Sequence, residues 1–120
     1  MNPKEYKQKA LRTMNKLLRP QDDLMHMAAG ISGEAGEVLD AVKKHFAYGK
    51  PLNKPHVIEE LGDLMYYING MLHLLDTEWE DVMRINIAKL EARYPNLKFD
   101  ADHAINRDKE AEAAAMLKAG

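Results

Sequence analysis

At 120 residues the chain is long enough for one domain with a modest core, and short enough that an oligomer would add useful buried surface. Its 17 basic and 19 acidic residues leave a net charge of −2, which offers no basic field to nucleic acid, and the lack of cysteine excludes a disulfide framework and thiolate metal sites. The polar start Met1-Asn2-Pro3-Lys4-Glu5-Tyr6 has no signal-peptide core, and no apolar run nears the roughly 20 residues that cross a bilayer, so a cytoplasmic protein without nucleic-acid or membrane partners is expected.

Helical periodicity dominates the chain. Residues 3–18 read as a first helix with Tyr6, Ala10, Met14, Leu17 and Leu18 facing inward; Pro20 interrupts it, and Asp22 or Asp23 can cap the next helix. There Leu24, Met27, Ala28, Ile31, Ala35, Val38, Val42 and Phe46 recur at three- and four-residue steps as one apolar stripe. Residues 47–54, with Gly49 and Pro51, read as a loop. A third helix runs from about Pro55 to about Asp76, with Val57, Leu61, Leu64, Met65, Ile68, Leu72 and Leu75 along its apolar face. Thr77-Glu78-Trp79-Glu80 has the form of a capping box for a fourth helix that ends near Tyr94-Pro95. After a turn at residues 96–100, residues 101–118 predict a weaker, Ala-rich helix. No strand pattern competes, so the expected fold class is all-α: a four-helix-bundle-like single domain over residues 1–120, with an additional C-terminal helix.

Two pairs of carboxylates carry the chemistry. Glu34 and Glu37 are three apart on the second helix and leave it about 60° apart; Glu60 and Asp63 repeat the spacing on the third. If the short loop brings these helices together antiparallel, four acidic groups can converge. Like charges at this spacing repel unless a cation reverses the interaction, and hard oxygen ligands suit Mg²⁺ or Mn²⁺. With Ile31 as the centre of the apolar stripe, Glu34 lies about 60° away, at the edge of the core. For one helical glutamate a solvated surface charge is the better reading; two matched pairs beside apolar stripes favour metal.

Gly30, Gly33 and Gly36 interrupt a strongly helical stretch, and Gly62 sits within the third helix, each at a cost of roughly 1 kcal/mol against alanine. Two readings stay open: close approach of a neighbouring helix or ligand, or a break near Ser32-Gly33 with Ser32 capping a new segment. Asn86, Lys89 and Arg93 share one face of the fourth helix, where lysine and arginine could neutralise a polyphosphate; alone, such a trio is more often a solvated face. His26, His45, His56, His73 and His103 follow no metal spacing, and the eight methionines read as core filler.

The segments Gly33-Glu34-Ala35-Gly36-Glu37-Val38, Glu59-Glu60-Leu61-Gly62-Asp63-Leu64 and Asn86-Ile87-Ala88-Lys89-Leu90-Glu91-Ala92-Arg93-Tyr94-Pro95, taken in order, resemble the MazG-like all-α nucleoside triphosphate pyrophosphohydrolases, and the short, often phage-encoded members above all. The likeness spans roughly residues 24–99, and residues 102–112 are similar to the tail of some short relatives. The resemblance implies Mg²⁺ ligands at Glu34, Glu37, Glu60 and Asp63, with Mn²⁺ a substitute. It implies phosphate contacts from Lys89 and Arg93, Asn86 near substrate or metal, Tyr67 against the nucleotide, and a dimer or dimer of dimers. In one departure, Gly33 stands where many members carry an acidic residue, which leaves the general base open between Glu34 and Glu37. The expected reaction is in-line attack of activated water on the α-phosphorus of a (d)NTP, releasing (d)NMP and pyrophosphate. Phosphoribosyl-ATP hydrolysis within the same superfamily and a non-catalytic helical interaction module are the alternatives. A di-iron bundle expects Glu-x-x-His pairs, which this chain lacks.

Overall fold

Each helix begins where the chain can satisfy or dispense with its first N–H groups. In the computed structural model, which describes all 120 residues, every regular element is helical, and the chain divides into two compact units, residues 1–76 and 77–120. The all-α reading holds. No helix is long and apolar enough to cross a membrane.

The first unit contains α1 (Pro3–Leu11), α2 (Pro20–Tyr48) and α3 (Lys54–Leu74). Asn2 opens α1 through a capping box with Glu5, whose N–H donates to Asn2 Oδ1 at 2.9 Å. The helix stops seven residues before the expected end at residue 18. Thr13 donates its hydroxyl to the Ala10 carbonyl at 2.8 Å, a local bond that competes with helical continuation, and the hydroxyl also lies 3.0 Å from Tyr66 Oη. The chain then runs irregularly to Pro20, which opens α2 at its first position instead of interrupting a helix. Asp23 does not cap α2; its carboxylate accepts the Leu17 N–H at 2.8 Å and ties down the incoming loop. Leu18, expected inside, is fully exposed.

Helix α2 is continuous through Ser32-Gly33, so the break is excluded and close approach is the relevant reading for Gly30. A Cβ on Gly30 would collide with the ring of Tyr67, and one on Gly70 with Met27 Sδ; Gly33, Gly36 and Gly62 face open space. These two glycines let α2 and α3 pack closely, and that contact selects the buried face. Asp23, Met27 and Ala41 are buried, with Gly30 and Glu34 half-buried. At about 100° per residue this face centres near Glu34, roughly 60° from Ile31. Glu34 therefore lies in the middle of the interhelical face and not at its edge. Part of the apolar stripe is left outside: Val42 is 41% and Phe46 87% exposed. Asn53 caps α3 by accepting the His56 N–H at 3.2 Å, after a loop limited to residues 49–53 in which Gly49 takes the left-handed conformation (φ 64°). Helix α1 packs on α3, where buried Asn69 donates to the Lys7 carbonyl at 3.4 Å.

The second unit begins with α4 (Trp79–Arg93). Its capping box is shifted by one residue from the expected Thr77–Glu80 pair: the Glu78 N–H donates to Asp81 at 3.0 Å, and Thr77 Oγ1 donates to the same carboxylate at 3.4 Å. The helix ends at Tyr94, which Pro95 holds extended (φ −116°, ψ 110°). A short 3₁₀ turn, Pro95–Leu97, precedes α5 (Ala101–Ile105) and α6 (Lys109–Ala119). The single terminal helix expected over residues 101–118 is thus two, because Asp100 caps the first and Asp108, accepting the Ala111 N–H at 3.0 Å, starts another. Helix α6 packs along α4, and Arg84 Nε donates to the Ala119 carbonyl at 2.6 Å.

Candidate functional site

Position along two helices, followed by close helix packing, assembles the acidic group. Glu34 of α2 and Glu60 and Asp63 of α3 bring carboxylate oxygens within 4.8 Å of one another. Glu60 is 8% exposed, Glu34 half-buried and Asp63 exposed, so the group opens from the interhelical face to solvent. Burial, and then the Asp63 and Glu60 charges, a hydrogen bond with Glu60 and the Glu37 charge, raise the Glu34 carboxyl above its ordinary range. This is the expected electrostatic signature of acidic groups crowded without a counter-ion. The hard oxygen donors fit a divalent cation of the Mg²⁺ or Mn²⁺ type, which would relieve that crowding. Glu37 is exposed and outside the group of three, though near enough to act on Glu34.

Tyr67 fills the hollow over Gly30 and stands edge-on to Tyr66 (centroids 5.3 Å) and His26 (6.0 Å). Its ring is therefore held rigidly on the same helix as Glu60 and Asp63. Two neighbours were not legible as site residues. His56 Nε2 lies 3.6 Å from Glu60 Oε1 and Nδ1 3.6 Å from Glu59; the signal was its position one turn before Glu60. Tyr6 of α1 feels Asp63: burial first, then Tyr66 and Asp63, raise its phenol.

In the second unit, Asn86 is exposed and Lys89 half-buried. Arg93 is engaged by Glu112 at 2.8 Å, an ion pair between residues 19 apart that no local spacing announces. Asp100, Asp102 and His103 form another cluster of potential ligands, all exposed. Capping accounts for it, since Asp100 accepts the His103 N–H at 3.1 Å, which with the nearby imidazole lowers its carboxyl pKa.

Residues 23–98 match the family model described as the MazG nucleotide pyrophosphohydrolase domain, a span containing all four predicted carboxylate ligands, Tyr67, Asn86, Lys89 and Arg93. A curated relative, the Gene 37 protein of Mycobacterium phage L5, is 32% identical over 76 residues, covering 60% of this chain and 67% of its own length. No solved structure matches. With its helical fold and the match over well over half its length, the chain belongs to the MazG nucleotide pyrophosphohydrolase family.

Proposed function

We propose that this protein is a Mg²⁺-dependent nucleoside triphosphate pyrophosphohydrolase that converts a (d)NTP and water to (d)NMP and pyrophosphate, with Mn²⁺ able to substitute. The observation carrying the reading is the meeting of Glu34, Glu60 and Asp63 oxygens within 4.8 Å inside the family-matched segment. A bound divalent cation supplies neutralisation of phosphate charge and a more acidic water.

In this reading Glu60, anchored by burial, and Asp63, open to solvent, hold the cation with Glu34. Glu37, exposed and outside the group of three, keeps its carboxylate for the proton released by attacking water. Tyr67 offers a fixed aromatic edge to the nucleotide. Lys89 and Arg93, with Asn86, are assigned to the substrate phosphates from their types and spacing. That the two compact units act as one catalytic domain, and that the protein works in the cytoplasm, are parts of the same proposal.

The protein is further proposed to be a homo-oligomer. Leu39 and Phe46 of α2 are exposed, as are Ile58 and Leu61 of α3. Exposed apolar side chains on both helices leave apolar surface uncovered. A second copy of the chain is the occupant this reading assigns to it.

A pyrophosphate-release screen over common, oxidised and deaminated (d)NTPs, with phosphoribosyl-ATP beside them, tests the function. Turnover of one or more (d)NTPs with Mg²⁺ or Mn²⁺, abolished by chelator, is expected. Turnover of phosphoribosyl-ATP alone would move the substrate assignment, and no turnover of any of them would overturn the enzymatic reading.

A further inference from the structure

A buried carboxylate in the second unit holds two guanidinium groups. Glu112 is 2% exposed. Its Oε1 accepts from Arg93 Nε at 3.2 Å, Arg93 Nη2 at 2.8 Å and Arg107 Nη2 at 3.0 Å, and its Oε2 accepts from Arg107 Nε at 3.1 Å. One carboxylate cannot neutralise two guanidinium ions, so the cluster keeps a net positive charge. Glu112 stays ionised in this setting: Arg107 and then Arg93 bring its carboxyl down to about 2.

Both arginines commit Nε and Nη2 to Glu112; Arg93 also bonds the Tyr94 side chain, and Arg107 keeps Nη1 and its second Nη2 hydrogen, the edge that grips two oxygens of one phosphate in parallel. The Arg93 and Arg107 side chains are 17% and 32% exposed, whereas the Glu112 side chain is closed off, so the open side of the cluster is cationic. Arg107 precedes Asp108, the cap of α6, and Glu112 lies on the first turns of that helix, so a single local structure fixes both. Arg107 and Glu112 fall outside residues 23–98.

We propose that Arg107 is a second phosphate-binding residue beside Arg93, with Glu112 the positioning residue that sets the two guanidinium groups as a pair for neighbouring oxygens of a polyphosphate. The pair rests on the pyrophosphohydrolase reading only for the identity of that polyphosphate as a nucleotide's.

The test is titration of the full chain with inorganic pyrophosphate in a calorimeter without divalent metal, for wild type, R107A and R107K, alongside KM and kcat for the best (d)NTP from the screen. Circular dichroism melts keep all measurements below unfolding, and R107K, which retains the charge but not the fork, serves if R107A does not fold. Pyrophosphate should bind wild type and bind R107A about tenfold or more weakly, with R107K between; KM should rise by a similar factor and kcat change far less. Pyrophosphate affinity within twofold of wild type in folded R107A, or in R107K where R107A does not fold, overturns the proposal, as does failure of wild type to bind pyrophosphate. Arg107-dependent binding in a chain that hydrolyses no triphosphate keeps the anion pair and removes the nucleotide; normal hydrolysis with affinity and KM unmoved in R107A removes only the pair.

Discussion

Replacing Gly30 and Gly33 separately with alanine measures the close approach of α2 and α3. Both residues lie within one continuous helix, so both variants gain the same intrinsic propensity, about 1 kcal/mol. Their surroundings differ: a methyl group at position 30 meets Cγ, Cδ1 and Cε1 of Tyr67, and at position 33 meets nothing within 4 Å. The three ring atoms include the one nearest the backbone, so a small tip movement cannot clear the clash. Tyr67 must swing away from its packing on Tyr66 and His26. Overpacking of this kind costs roughly 1–3 kcal/mol, and because propensity cancels between the variants, that cost is the whole difference between them. Urea unfolding followed by circular dichroism should find Gly33→Ala stabilised by about 1 kcal/mol and Gly30→Ala between neutral and about 2 kcal/mol destabilised. Equal shifts in the two variants would refute the account of why α2 buries the face it does.

Other consequences reach the chemistry and the assembly. Glu37→Ala should slow pyrophosphate release by about 10²-fold or more, and Asp63→Ala should reduce it to background, with helical circular dichroism unchanged in both; full activity in either removes its assigned role. Glu112 has a folded pKa near 2, below the ordinary 4.5, so its stabilising contribution is complete above pH 4.5 and lost as pH falls towards 2. Chemical-denaturation curves taken across pH should therefore find wild type more stable than Glu112→Gln at neutral pH, with the gap closing below pH 4.5; a pH-independent gap contradicts the ion-pair account. Phe46→Glu, a charge placed on the exposed apolar surface, should give a monomer by sedimentation where wild type is larger; equal masses contradict the oligomer.

The helices were legible because three- and four-residue apolar steps persist along long segments, and the acidic group because one spacing repeats on successive helices, although Glu37 of the first pair stands outside the group that forms. The buried face of α2 was not, since apolar content pointed to Ile31 whereas a pairwise tertiary fit, Gly30 under Tyr67 and Gly70 beside Met27, turned the helix towards Glu34. Local polar competition blurred the ends: Thr13 closed α1 early, Asp23 tied a loop instead of capping, and Glu78 with Asp81 formed the box expected one residue sooner. The Arg93–Glu112–Arg107 cluster spans α4 and α6 and has no local signature beyond complementary charge. Family likeness identified Arg93 as a cation of interest, but only coordinates reveal its partner.

Manganese titration, read from the loss of the free-ion electron paramagnetic resonance signal without nucleotide present, tests the central claim most directly. Wild type should bind Mn²⁺ saturably, and Glu60→Gln, which removes the buried member of the Glu34–Glu60–Asp63 group, should lose that binding while keeping its helical content. Equal Mn²⁺ uptake by both proteins, or none by wild type, would contradict a cation held between these two helices.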